Sequence, residues 1–160
     1  MNLKEVYCQR VVFVDTCTCI QSEEGFQKFI LASVPHLKET GTKIHIAYKC
    51  IEELGKIQKD IKRDQHMRDA AYHALQVFRY LQEIDALDVR GKETDSFADS
   101  VMLQNLLRYV TKYNLLLITQ DRGLAADAEL LNHLKSVKSK KNIITRKLDT
   151  CGNLVEINLK

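Results

Sequence analysis

The sequence predicts an α/β fold in which helices pack around a mostly parallel central sheet, with a C-terminal β-hairpin or late strands. Two stretches typical of buried strands, VVFVD at 11–15 and LLLITQD at 115–121, each end in an aspartate. Helical patterns lie between them, and such alternation is typical of parallel sheets. The tail at 142–159 has two alternating runs around DTCGN, which predicts the hairpin or the late strands.

The elements between these stretches follow from their spacing. A serine followed by acids and periodic apolar residues predicts a helix from residue 22. Alternation in KIHIAYK predicts a strand that runs into a helix with almost no loop. A longer amphipathic helix follows, and the polar segment DVRGKETD then interrupts the pattern. The predicted helices cover 22–39, 50–61, 63–84, 96–113 and 122–138, and the first three predicted strands cover 11–15, 43–49 and 115–121.

Composition indicates one globular domain, 1–160, without disulfides. The 160 residues are 45% hydrophobic and 28% charged, and no linker or internal repeat divides them. The first ten residues lack the apolar stretch of a signal peptide, so we expect a soluble, cytoplasmic protein. Five cysteines are an odd number without zinc-site spacing, and Cys17 and Cys19 are read as small thiols packed under a turn rather than as nucleophiles. The net charge of +3 does not by itself indicate a nucleic-acid partner.

Acidic residues at the ends of the predicted strands are the main functional signal. Ligands of open parallel sheets bind beyond the carboxyl ends of the strands, where Asp15 and Asp121 both stand. Each also has a structural interpretation, because aspartate is a good N-cap for the helix that follows. Either explanation suits each residue taken alone.

Two further acids are placed near the same edge. We expect Glu53 in the first turn of the helix after the second strand, whereas Glu52 faces about 100° away. Asp95 and Asp99 lie four residues apart, and they share a helical face if the helix includes both. Asp95 or Ser96 is the expected N-cap, so Asp99 is expected inside the helix, where capping does not explain it.

Four acids at one edge would repel one another unless a cation neutralised them. Carboxylate oxygens without histidine or thiolate ligands suit Mg²⁺ or Mn²⁺. The sequence therefore predicts a divalent cation at Asp15, Glu53, Asp99 and Asp121, and such a cation can activate water for attack on phosphorus.

These residues resemble those of the PIN-domain ribonucleases. The resemblance rests on VVFVDT, on the pair Glu53–Leu54, on FADSVML around Asp99 and on LLLITQDRGLA around Asp121, and it covers roughly residues 10 to 130. It implies a three-layer α/β/α sandwich and a ribonuclease that hydrolyses RNA with Mg²⁺ or Mn²⁺, as an endonuclease in preference to an exonuclease. It also implies that Asp15, Glu53, Asp99 and Asp121 are both the metal-binding and the catalytic residues.

The resemblance extends to some neighbouring positions and partners. Thr119 matches a hydroxyl position that bonds a carboxylate or water, and it is also a candidate substrate-binding residue. Asp127 is a weaker candidate expected on a solvated face. A homodimer and an antitoxin-like inhibitor protein are partners that the resemblance suggests. The helical insert at 62–85 and the C-terminal hairpin depart from the small toxin-type members of the family.

Basic residues are the candidates for RNA contacts, although they are equally well read as ordinary surface charges. The candidates beside Asp121 and near the C-terminus are Arg122, Lys138, Lys140 and Lys141, and those expected on the long helix are Arg63, Arg68 and Arg79.

Other functions remain open at this point. The main alternative is a catalytically inactive PIN-like domain that binds RNA or serves as an assembly scaffold. A haloacid-dehalogenase-type phosphatase needs a second acid two residues after the first, and that position holds Cys17. A glycine-rich phosphate loop is missing from the sequence, so we expect no nucleotide cofactor.

Overall fold

The computed structural model describes residues 1–134 and 141–160 and has the predicted α/β architecture. The helices are α1 (Leu3–Gln9), α2 (Thr16–Gln21), α3 (Glu23–Thr40), α4 (Tyr48–Lys59), α5 (Gln65–Glu83), α6 (Ala98–Val110) and α7 (Arg122–Leu130), and a short 3₁₀ turn (Leu131–His133) follows α7. The strands are β1 (Arg10–Val14), β2 (Ile44–Ala47), β3 (Leu87–Arg90), β4 (Asn114–Ile118), β5 (Ile143–Leu148) and β6 (Leu154–Val155).

The strands form one sheet in the order β3-β2-β1-β4-β5-β6. Its first five strands are parallel, and β6 pairs antiparallel with β5, which confirms the predicted C-terminal hairpin. Helices flank the sheet as a three-layer α/β/α sandwich: α5 contacts α2, α3 and α4, and α6 contacts α7. The central strands are buried on both faces, which explains their continuous runs of valine and leucine.

Three elements were not predicted from the sequence. The segment 88–95 was read as polar and irregular, but Leu87–Arg90 forms the edge strand β3, whose Asp88 pairs with His45 of β2. A strand at the sheet edge is only half covered, so its side chains need not be apolar. Helices α1 and α2 have seven and six residues, too few to show a clear helical period.

Several helix boundaries also differ from the prediction. Ser22 precedes α3, but its side chain accepts no cap hydrogen bond, and its hydroxyl instead donates to the carbonyl of Leu148. Helix α5 begins at Gln65 after the N-cap Asp64, so Arg63 lies outside the long helix. Helix α7 ends at Leu130, earlier than predicted, and positions 135–138 of the predicted helix lie outside the described residues.

The C-terminal hairpin packs closely against α3. A Cβ atom on Gly25 of α3 would overlap the carbonyl oxygen of Asp149 in the hairpin turn, so only glycine allows this approach of two backbones. Lys28 of the same helix donates to the carbonyl of Thr150 at 3.3 Å. The hairpin is therefore part of the packed domain.

Candidate active site

The order of the strands in the sheet determines where the candidate site lies. Connections lead from β1 outward to β2 and β3, and the chain then returns to β4 on the other side of β1. The switch point of the sheet thus lies between β1 and β4, where open α/β sheets form their ligand crevice. Asp15 directly follows β1 and Asp121 follows β4, so both predicted strand-end acids reach this crevice.

Asp15 is buried, with 5% of its surface exposed. It is the N-cap of α2, and its Oδ1 accepts a hydrogen bond from the backbone N–H of Thr16 at 2.8 Å. Its Oδ2 accepts from the hydroxyl of Thr119 at 3.1 Å and from the thiol of Cys17 at 2.8 Å. The cap explanation therefore accounts for one oxygen of this carboxylate, and a side-chain network fixes the other.

Thr119 connects the two strand ends. Its side chain is fully buried, and its hydroxyl donates to Asp15 while accepting from the backbone N–H of Asp121 at 3.0 Å. This confirms the predicted bond from the hydroxyl to a carboxylate. Because the side chain is inaccessible, Thr119 holds Asp15 in place and makes no direct contact with a substrate in this conformation.

Cys17 lies in the same network but is not an activated nucleophile. Burial, followed by the negative charge of Asp15, raises the pKa of the Cys17 thiol to about 12. The protonated thiol donates to Asp15, as expected for a packing residue. Cys19 is fully buried, and its pKa is also raised by burial.

Asp121 is the N-cap of α7, where its Oδ1 accepts from the backbone N–H groups of Gly123 and Leu124 at 2.7 and 3.1 Å. Its side chain is exposed at the cavity. Within the part of the chain that is described, Oδ2 accepts no hydrogen bond from the protein. One oxygen therefore caps the helix, and the second is open to a ligand.

Glu53 lies in the second turn of α4, one turn later than predicted, because the helix already begins at Tyr48. Glu52 bonds Lys49 and Lys56 on another face, as the helical spacing predicted. Partial burial, followed by the charges of Asp15 and Asp99, raises the pKa of Glu53, while the Thr16 hydroxyl acts to lower it. That buried hydroxyl lies near the carboxylate but forms no hydrogen bond of ordinary geometry.

Asp99 lies in the first turn of α6 and is exposed. An acid in a first turn is favoured by the helix dipole, which is a structural reason that the sequence argument omitted. Partial burial nevertheless raises the pKa of Asp99, and the charges of Asp15, Asp121 and Asp127 add to this effect. Asp127 is exposed as predicted, and it still contributes to the negative field around Asp99.

The expectation for Asp95 was wrong. Helix α6 begins at Ala98 with Phe97 at the N-cap position, so neither Asp95 nor Ser96 caps it, and Asp95 shares no helical face with Asp99. The Asp95 carboxylate instead accepts from the backbone N–H of Lys92 at 2.7 Å and closes the loop before the helix. An aspartate can make this local bond without a helix, which is why the sequence did not distinguish the two cases.

The four predicted acids line a single cavity of about 250 Å³, here called the acid cavity. Asp15, Glu53, Asp99 and Asp121 come from four separate elements, and Ile57 of α4 and Met67 of α5 form an apolar part of the wall. The long helix thus closes one side of the cavity. Sequence reasoning missed Thr16 and Met67, because a hydroxyl or a thioether in a helix carries no signal of its own.

The acid cavity offers the ligand type that a hard cation requires. Its carboxylates are close enough to raise the pKa of Glu53 and Asp99, so a positive charge there would relieve their repulsion. In the described residues, however, no three His, Cys, Asp or Glu side chains are grouped as ligands of one ion. Mg²⁺ commonly takes one or two carboxylates and keeps waters or substrate phosphates as its other ligands, so the residues fit such a site.

The predicted basic contacts are only partly near the acid cavity. Arg122 follows Asp121, is exposed, and donates to the carbonyl of Lys160 at 3.2 Å. Lys141 is exposed, and Lys138 and Lys140 lie outside the described residues. Arg68 donates to the carbonyl of Gln58, and Arg79 lines a different groove beside Tyr48.

Comparisons of the chain with protein-family models, with curated proteins and with solved structures find no match. Across residues 1–134 and 141–160, every helix is too short or too polar to cross a lipid bilayer. The site is therefore interpreted from its own geometry.

Proposed function

We propose that the chain is a ribonuclease that hydrolyses RNA phosphodiester bonds with Mg²⁺ or Mn²⁺ held at the acid cavity. The observation that supports this most directly is that four carboxylates, distant in sequence, line one cavity at the switch point of the sheet. Uncompensated carboxylates raise the free energy of the site unless a cation is present. Their presence together in one cavity is what a cation-dependent activity requires.

Each residue has a distinct task in this proposal. Asp15 is the most rigid ligand, because Thr119 and the backbone of Thr16 fix its carboxylate. Asp121 presents its uncapped oxygen, and the exposed carboxylates of Glu53 and Asp99 hold the ion directly or through water. When bound, the divalent cation supplies an activated water and stabilises negative charge on the phosphoryl oxygens. The described side chains at the cavity provide no activated thiol, consistent with attack by water.

A catalytically inactive RNA-binding or assembly scaffold is the second candidate. It is favoured by the cap roles of Asp15 and Asp121, which give each of these acids a structural reason. In that case the acids would serve the local structure, and RNA would bind without being cut.

The test is cleavage of labelled single-stranded RNA in the presence of Mn²⁺ by wild-type protein and by Asp15→Asn and Asp99→Asn. We expect either substitution to lower kcat/KM by about a hundredfold or more, since each removes a charged ligand. Asp69→Asn is the matched control, because Asp69 is exposed on α5 and its bond from Gln65 suits an amide as well. A chelator should abolish the activity of the wild-type protein.

A second matched pair uses neighbouring residues of one helix. Glu53→Gln should lower kcat, and Glu52→Gln should leave kcat near the wild-type level, because only Glu53 lines the acid cavity. Full activity of Asp15→Asn and Asp99→Asn would overturn the nuclease proposal. RNA binding by pure wild-type protein without metal-dependent cleavage would favour the scaffold.

A further inference from the structure

We propose that a groove beside the acid cavity binds the phosphate backbone of single-stranded RNA, and that Phe97 between the two stacks on an unpaired base. This inference rests on the proposed ribonuclease function and names the path of its substrate. The groove, here called the basic groove, is defined by Arg90, Lys92, Arg108 and Tyr109.

The basic groove has the size and the donors that a phosphate and its sugar require. Its volume is about 420 Å³, larger than the acid cavity, and Gln104 and Asn105 of α6 add amide groups to its wall. Arginine and lysine bind backbone phosphates, and amide side chains commonly bond the sugar and phosphate oxygens. The groove therefore has the composition of a backbone-binding surface.

Its charge is positive and only partly compensated. Arg90 pairs with Asp88 at 2.6 Å and lies over the Tyr109 ring, 5.2 Å from its centroid, while its buried Nε has no hydrogen-bond partner. Lys92 and Arg108 are exposed, and in the described chain no carboxylate oxygen lies within 4.0 Å of either side chain's nitrogens. Two cations are thus available to an anion.

One acid, Asp95, also lines the basic groove, and it shapes the loop between β3 and α6. Asp95 accepts from the backbone N–H of Lys92, while its own N–H donates to the Lys92 carbonyl at 3.0 Å. Gly91 has a φ of 93°, and a Cβ there would overlap the Asp95 carboxylate. Asp95 therefore closes a tight turn that holds Lys92 at the groove, and because Arg90 is paired with Asp88, the two cations Lys92 and Arg108 remain against this one acid.

A third cavity of about 310 Å³, here called the passage, lies between the two sites. It shares Glu53 with the acid cavity and Asp95 with the basic groove, so the three adjoin along one surface. Lys49 and Lys56 in this passage both bond Glu52, and Glu53 and Asp95 make its lining negative, so the phosphate contacts are placed in the basic groove and not in the passage. A strand with its scissile phosphate at the acid cavity can thus continue through the passage to the cations.

Phe97 supports a single-stranded substrate. It lines the passage, directly precedes α6, and is 85% exposed, so its ring is accessible to a base. Unpaired bases stack on such rings irrespective of their sequence, whereas bases in a duplex are stacked already. The passage therefore selects for unpaired RNA.

Binding is tested separately from cleavage, in the Asp99→Asn background with a chelator present. The probe is fluorescein-labelled oligouridylate, and anisotropy gives its affinity at several salt concentrations. We expect Phe97→Ser to weaken binding about tenfold. Lys92→Gln combined with Arg108→Gln should lower the slope of log affinity against log salt by about 1 to 1.5, since two phosphate contacts are lost.

Matched controls lie elsewhere on the surface. Lys38→Gln removes an exposed lysine near the end of α3, and Tyr72→Ser removes an exposed ring of α5. Neither should change binding. The double variant should raise KM for cleavage and leave kcat unchanged, because it contacts the strand away from the scissile bond.

The outcomes separate the two proposals. If the groove variants bind RNA as tightly as their controls while the wild-type protein cleaves RNA with metal, the basic groove is overturned and the nuclease proposal stands. If these variants bind RNA more weakly while the wild-type protein does not cleave RNA, the groove is retained and the nuclease proposal is overturned. Equal weakening of single-stranded and duplex RNA would contradict the role of Phe97.

Discussion

The acid cavity and the basic groove lie on the two ends of one connected surface, but they are built differently. The acid cavity draws its carboxylates from four elements, and its buried member, Asp15, is fixed by Thr119 and the backbone. The basic groove combines one face of α6 with the loop after β3, and Lys92 and Arg108 are exposed.

This difference between a buried network and exposed cations indicates how each region responds to substitutions. Charges held in a buried network lose their geometry when one supporting bond is removed. Exposed cations contribute nearly independently, because water and salt screen them from each other. Damage to the network of Asp15 should therefore lower the rate of cleavage without changing RNA affinity. Loss of the groove cations should weaken RNA binding without changing kcat.

The largest expected effect in this comparison is that of Thr119→Val. This substitution keeps the shape of a buried side chain but removes the hydroxyl that bonds Asp15 and accepts from Asp121. We expect kcat/KM to fall by about 10- to 100-fold, as for other groups that orient a ligand. RNA affinity, which depends on the basic groove, should remain unchanged.

Thr119→Ser is the matched control for this prediction, because it retains the hydroxyl and should recover most of the activity. Thermal unfolding of both variants shows whether the fold is intact. Equal activity of the valine and serine variants would mean that the bond to Asp15 has no catalytic consequence.

The next effect separates the two tasks of Asp121. Asparagine caps helices as well as aspartate, so Asp121→Asn should leave the free energy of unfolding nearly unchanged, whereas Asp121→Ala should lower it by about 1 kcal/mol. Both variants lose the charge at the acid cavity, and we expect cleavage about tenfold slower in each. Denaturant unfolding and RNA cleavage measure the two effects. Wild-type cleavage by Asp121→Asn would leave only the cap role.

The smallest effect is a shift of pH dependence confined to the acid cavity. Partial burial and neighbouring carboxylates raise the pKa of Glu53 and of Asp99 above their ordinary values of 4.5 and 3.8. Protonated carboxyls do not hold a cation, so Mn²⁺ binding should be lost, as pH falls, at a higher pH than for ordinary carboxylates. Asp99→Asn removes one charge that raises the pKa of Glu53. In this variant the loss of Mn²⁺ binding that is linked to Glu53 should therefore occur at a lower pH.

Without a bound cation, fold stability depends on pH in the direction opposite to that of cation binding. A carboxyl with a raised pKa in the folded state stabilises the fold below its ordinary pKa, and this contribution disappears as pH rises through the raised value. Calorimetric titration with Mn²⁺ at several pH values measures the binding side. If the pH midpoint of Mn²⁺ binding is the same in Asp99→Asn as in the wild-type protein, Glu53 and Asp99 are not coupled.

Much of the fold followed from local patterns. The valine and leucine runs of β1 and β4 predicted buried strands, and the apolar period of α5 predicted its length to within two residues at each end. The edge strand β3 and the short helices α1 and α2 did not follow, because four strand residues and one or two helical turns are too short to show a clear period. The C-terminal hairpin was visible from its turn residues.

The sequence by itself determined that acids follow the strands and that Glu53, unlike Glu52, faces the sheet edge, since both depend on local spacing. Only the tertiary structure decided that Asp15 and Asp121 meet through Thr119, that Asp95 belongs to a loop, and that Lys92 and Arg108 share a groove. The physical reason is that strand order and the packing of α6 bring together residues far apart in the chain, and no local pattern encodes those distances.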